Sequence, residues 1–347
     1  MKNLETVIKR SNNNFDLIRI LAALMVLFFH SFYLFKNSGH PIPGTTLLKD
    51  NSIGGLAVYV FFFLSGMFIT SSFINSKKYT DFILLRVFRI WPALLVCVIF
   101  SVFIVGPAVS KYSLHDYYYS RGTWDYLVHN ILLYHLRFTL PGVFENNFYP
   151  NAVNGSIWTL PVELLCYCMV FILGICGMFK SKTASILVNG VLFLIYAFNI
   201  DSIGNYLNTP FPFFIVGSIC YLFRRYLIID YKIAILLLVI YIIFYKSIFL
   251  FMALLYGVLV AGSSDFAKKI KLPGDYSYGI YVYAFVVQQI IAYYLPDISS
   301  YQSLLLTVPF TIGLASLSWH FVEYPLMRFA KRKVKKGQQE SAVKLSV

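Results

Sequence analysis

An all-α integral membrane protein is the fold class this sequence predicts, and three observations carry the expectation. Hydrophobic residues make up 59% of the chain and charged residues only 13%, where a soluble domain has about 25% charged. Apolar windows of roughly 20 residues, the length at which a helix crosses a bilayer, recur from one end of the chain to the other. Lys and Arg gather in every second connection between those windows, which is the asymmetry that sets orientation during insertion.

The windows predict a bundle of about ten transmembrane helices, near residues 15–36, 54–75, 86–107, 157–179, 184–199, 207–226, 231–245, 247–263, 276–295 and 302–325. The first carries Asp16 and Arg19 at its start and lacks a small-residue cleavage pattern, so it reads as a span and not as a signal peptide. The seventh and eighth are short and divided by little more than Lys246; one long broken helix or a re-entrant pair are both open there. The ninth follows a Pro273-Gly274 turn. The tenth is expected to stop at Tyr324-Pro325, because the residue before proline disfavours the α conformation.

With both termini cytoplasmic, only Lys36, Lys49, Lys111, Arg121, Arg137 and Lys246 of the 29 Lys and Arg fall outside. The net charge of +14 then follows the inner membrane surface and gives no reason to expect a nucleic-acid partner. The expected location is the cell (cytoplasmic or inner) membrane, crossed many times, with the bilayer itself as a partner. Residues 1–330 form one transmembrane domain, and 331–347 a basic tail expected to be disordered. The long outside segment, about 108–156, is rich in Tyr, Asn and His and is expected to form a small extracytoplasmic cap. The five Cys fit small buried side chains, with no disulfide framework or zinc spacing. His115, His129 and His135 have no carboxylate-rich pattern around them, so no metal is expected.

Ionisable residues inside the windows form two tiers. Arg19 and His30 lie in one window, eleven residues apart; helical geometry puts them about 16 Å apart along the axis and within roughly 20° of one face. Ionisable groups in a span cost roughly 2.5–3.5 kcal/mol each on insertion scales, so such a stripe is expected to face a polar interior. Arg19 can pair with Asp16, three residues earlier. Arg86 and Arg89 open the third window at the same spacing. Two readings stand for that pair: snorkelling to lipid phosphates, or an anion clamp for a phosphorylated ligand, for which the guanidinium fork is suited. Tyr276 and Tyr278, at the mouth of the ninth window, are assigned to the same ligand.

The outer tier holds His30 and Glu163, the latter one or two turns into the fourth window. A neutral imidazole backed by a carboxylate is the usual arrangement for a base that deprotonates a hydroxyl. Trp158, with Gly155 and Ser156 beside it, would suit a sugar, and Gln288 and Gln289 are candidates for hydrogen bonds to the acceptor, although helix–helix bonding serves equally well. His320 and Glu323 are three residues apart and are read as structural.

Several segments together resemble one family. They are Arg19-x10-His30, VFFFLSGMFIT, RVFRIWPA with Arg86 and Arg89, SIWTLPVELLCY with Glu163, DYSYGIYVYAF, and SWHFVEYPLMR. In order and spacing they resemble the acyltransferase-3 family of membrane acyltransferases, over nearly the full length. The resemblance implies a bundle of about ten transmembrane helices and transfer of an acyl group, usually acetyl from cytoplasmic acetyl-CoA, to an extracytoplasmic sugar hydroxyl. It also implies that Arg19 and His30 are the essential pair and that Arg86 and Arg89 handle the donor. Two departures stand out. Many members have a His in the ninth span where this chain has Tyr283-Ala284-Phe285. Many also carry a C-terminal SGNH-type domain, so this chain either transfers directly or hands the group to a separate SGNH-type partner.

The expected function is therefore a membrane O-acyltransferase with His30, Glu163 and Arg19 at the chemistry and acetyl-CoA as acyl donor. The competing expectation is a transporter or flippase for a glycolipid or polysaccharide precursor, which a polar stripe would also suit, although inverted repeats are not evident. The acceptor, the acyl group and the oligomeric state are left open.

Overall fold

The computed structural model describes residues 2–36, 42–48, 51–181, 183–185, 187–191 and 210–345, and the chain is mostly helical. The main helices are α1 (Phe15–Leu34), α2 (Ile53–Ile74), α3 (Tyr79–Phe100), α4 (Leu114–Tyr119), α5 (Arg121–Leu132) and α6 (Thr159–Ile175), followed by α7 (Phe211–Leu222), α8 (Tyr231–Phe244), α9 (Ser247–Ser263), α10 (Ser277–Tyr294), α11 (Ser300–Ser318) and α12 (Tyr324–Leu345). Among the described residues, five continuous helical stretches are long and apolar enough to cross a membrane: Phe15–Leu34, Ile53–Ile74, Tyr79–Val109, Ser156–Ile175 and Ser300–Gly337. Helices α7, α8 and α9 are apolar but shorter. Much of the expected fifth span falls outside the described residues.

The seventh and eighth windows form two separate helices. Tyr245 ends α8 in the left-handed conformation (φ 46°), and α9 starts two residues later. At the other end of the chain, Pro325 does not terminate the helix. A π-helical turn, Trp319–Glu323, lies just before it inside the continuous stretch, and this local change of hydrogen-bond register accommodates the missing N–H of Pro325. Helix α12 then runs through Leu345. Straight-chain helix formers (Lys, Arg, Gln and Glu) fill that segment.

The chain divides into two compact units. The first comprises residues 1–29, 39–74 and 162–277. Its tightest crossing joins α2 to α7, where small residues let the backbones meet: a Cβ on Gly66 would sit 2.0 Å from the Phe214 carbonyl oxygen, and one on Gly217 2.0 Å from that of Phe63. The buried hydroxyls of Thr70 and Ser218 bond at 2.9 Å across it. Asn14 seats α1 by accepting from the Leu17 N–H and donating to the carbonyls of Ala267 (2.9 Å) and Ile270 (2.8 Å). A two-residue strand, Lys2–Asn3, pairs antiparallel with Ile228–Ile229.

The second unit comprises residues 30–38, 75–161 and 278–347. Helix α10 is fitted between α3 and α11. Tyr278 and Tyr283 donate to the carbonyls of Ile90 (2.9 Å) and Ala93 (3.3 Å), and Gly279 lies so close to Ala315 that an added Cβ would be 2.9 Å from its methyl. The segment 108–156 packs into this unit. Trp124 at the start of α5 meets the Phe103 ring, and the Trp91 indole of α3 donates to the Ile131 carbonyl at the end of α5. Asn154 reaches further, donating to the Val282 carbonyl of α10 at 2.9 Å.

Candidate active site

Helix α1 belongs to both units: residues up to Phe29 to the first, His30 onwards to the second. Within the first unit Arg19 sits one turn into α1 and is largely buried. Its Nη1 is 3.7 Å from Asp16 Oδ1 and 3.9 Å from Asp275 Oδ2, and its guanidinium carbon lies 5.0 Å from the centre of the Phe68 ring. Asp275 is fixed in turn by the Ser277 hydroxyl, which donates to it at 2.6 Å. Glu163, half-buried, accepts a hydrogen bond from Tyr167 one turn along α6. Tyr276 is also half-buried in this unit.

The other candidates belong to the second unit. Arg86 and Arg89 are turned toward aromatic rings, the first over Phe82 at 5.8 Å and the second over Tyr278 at 5.6 Å from the ring centres. Asn, Tyr and Trp side chains have already been seen to fasten the neighbouring helices, and Tyr278 joins both roles, since its hydroxyl bonds to α3 while its ring faces Arg89. His30 packs edge-on against Phe285, ring centres 5.3 Å apart at 79°. The same phenyl ring meets Tyr149 and presses on Gly155, where a Cβ would come within 2.7 Å of it. Only glycine fits beside Phe285, and this brings the Asn154-Gly155-Ser156 turn to the ring that carries His30. Trp158, partly exposed, ends that turn in a short 3-10 segment.

Gln288 and Gln289 are both fully buried. Gln289 donates to the carbonyls of Tyr149 (2.9 Å) and Ala152 (2.6 Å) and accepts from Asn147 (2.8 Å), which makes it an anchor for the 147–152 loop. The structure thus gathers Arg89 with Tyr278, and Arg19 with Asp16. His30 and Glu163 belong to different units. Sequence reasoning passed over Asp275, which stands inside the quoted DYSYG segment; an acidic residue one step ahead of the Tyr-Ser-Tyr run was the available signal. It also missed Phe285 as the platform of His30, since an aromatic residue in an apolar span carries no distinguishing pattern.

A family model described as an acyltransferase domain (acyltransferase 3) matches residues 12–322. The chain belongs to the acyltransferase-3 family. The O-acetyl transferase of Shigella phage Sf6 is 30% identical over 341 residues, covering 90% of this chain and 95% of that one. Nodulation protein 10 of Rhizobium leguminosarum bv. viciae is 31% identical over 158 residues, 45% of this chain and 42% of that one. No solved structure matches. As a member of the acyltransferase-3 family the chain is an enzyme of acyl transfer, and the transporter reading gives way to it.

Proposed function

We propose that this membrane protein is an O-acetyltransferase that moves an acetyl group from cytoplasmic acetyl-CoA to a hydroxyl of an extracytoplasmic or lipid-linked glycan at the cytoplasmic membrane. The observation that carries this reading is His30: an imidazole on a long apolar helix, held by Phe285 beside the Asn154–Ser156 turn, in a chain similar over most of its length to a protein named O-acetyl transferase. In the proposed reaction His30 takes the proton of the acceptor hydroxyl, and the oxygen attacks the thioester carbonyl carbon. The carbon–sulfur bond then breaks, and the leaving thiolate takes the proton back from His30.

Glu163 and Arg19 are proposed to orient and charge-balance this exchange. Arg86 and Arg89, with Tyr276 and Tyr278, are proposed to hold the phosphates of the donor. The packing of both guanidiniums against rings of their own unit favours this over snorkelling to lipid. Trp158 and Gln288 are proposed to contact the acceptor.

Purified protein in lipid nanodiscs, given labelled acetyl-CoA and a surface-glycan extract, tests the reading. Wild type is expected to release CoA and label the glycan. His30→Ala is expected to lose at least about 10²-fold in turnover, the lower range for one general base, while keeping its melting profile. Full transfer by folded His30→Ala would overturn the scheme.

A further inference from the structure

Ser156 is 1% exposed, and its hydroxyl has no hydrogen-bond partner among the described residues. That combination is uncommon, because a buried hydroxyl loses its water and recovers nothing in return. The position is not loose. Asn154 accepts from the Ser156 backbone N–H at 3.1 Å, while its own amide is tied to the Val282 carbonyl at 2.9 Å. The preceding Gly155 abuts Phe285, whose ring carries His30. A rigid turn therefore holds an O–H in the neighbourhood of the proposed base. On one side of the ring, Leu34, Phe35 and Phe285 form a buried apolar cluster with Ala152 packed against it.

We infer that the Ser156 hydroxyl is a substrate-contacting group that donates a hydrogen bond to the acyl carbonyl oxygen of the thioester donor as that oxygen takes up negative charge. The inference rests on the acyl-transfer reading above. When the acceptor oxygen bonds to the carbonyl carbon and its proton passes to His30, the carbonyl electron pair moves onto the oxygen. In a buried site that charge needs a preorganised donor. Collapse re-forms the carbonyl, expels the CoA sulfur and returns the proton through His30, so Ser156 is unchanged at the end of the cycle. The serine is assigned as a donor and not a nucleophile, since among the described residues no hydrogen bond joins its hydroxyl to an imidazole, the usual activation of a serine.

The test compares wild type with Ser156→Ala, using labelled acetyl-CoA and the glycan extract. The alanine variant is expected to lose about 10²–10³-fold in kcat, the usual effect of removing one oxyanion donor. Its KM values should stay within a few-fold of wild type, and its melting temperature should be no lower, because the hydroxyl it removes bonds to nothing among the described residues. An unchanged kcat, or a rise confined to the acceptor KM, would overturn the inference. If the alanine variant fails to fold, Ser156→Gly decides by the same kinetic criteria. Wild type that turns over no acetyl-CoA would instead defeat the acyl-transfer reading itself.

Discussion

Arg19 shows at the scale of one side chain why an apolar helix can keep a cation: two carboxylates and the face of Phe68 replace the water it has lost. Half of that arrangement was legible in the sequence. Asp16 lies three residues away on the same helix, but Asp275 comes from the far end of the chain, and only folding brings it there. Ser156 was visible as a residue but not as an orphan, because satisfaction of a hydroxyl is decided by its neighbours in space. Outside the membrane-spanning segments, Glu5 offers a titration with a clear sign. The Arg225 guanidinium bonded to it, helped by the charges of Arg225 and Arg224, holds its carboxyl below the usual 4.5. A carboxyl depressed in the folded state adds stability above its unfolded pKa and loses it as pH falls through the folded one. The contact tying the first residues to 224–229 is therefore expected to be insensitive between pH 6 and 8 and to loosen only below about 4.5. Glu5→Gln should imitate the acid state at pH 7, seen as faster tryptic cleavage at Lys9 and Arg10; equal rates in both proteins would remove the pair from that role.

Among elements, the crossing of α2 and α7 depends on hydrogen atoms where other residues have carbon. A Cβ at Gly66 would strike backbone, which cannot rotate away as a side chain can. Gly66→Ala is therefore expected to destabilise by about 1–3 kcal/mol, the range for overpacking, and to lower the melting temperature in detergent. Gly257, in the middle of α9, has nothing within 4 Å of its would-be Cβ. Gly257→Ala should be neutral or gain up to about 1 kcal/mol from helix propensity; a loss as large as that at Gly66 would show that the packing argument is misplaced. Hydropathy made most of these helices legible, because a bilayer demands length and apolarity before anything else. It could not show the π-helical turn at Trp319–Glu323, which is a local change of hydrogen-bond register with little effect on composition. Nor could it show that 108–156 packs along α3 and α10, since loop-like polarity hides contacts such as Trp91 to Ile131 and Asn154 to Val282.

For the molecule as a whole, the proposed chemistry separates two tasks along the helices: holding a charged donor and moving one proton. Arg86 and Arg89 lie in the first half of α3, against Phe82 and Tyr278, while His30 lies near the end of α1, against Phe285. If these are two tasks, their kinetic signatures should come apart. A guanidinium hydrogen-bonded to phosphate contributes about 1.5–3 kcal/mol, and each 1.4 kcal/mol is tenfold in affinity. Replacing both arginines by alanine is then expected to raise the acetyl-CoA KM by at least about tenfold while kcat at saturating donor stays within a few-fold. His30→Ala should do the reverse, losing kcat with little change in donor KM. Titrating labelled acetyl-CoA against each variant in nanodiscs gives both constants. Arginine variants that lost kcat at unchanged KM would mean that Arg86 and Arg89 act on the transition state, and the division of labour between the arginines and His30 would have to be abandoned.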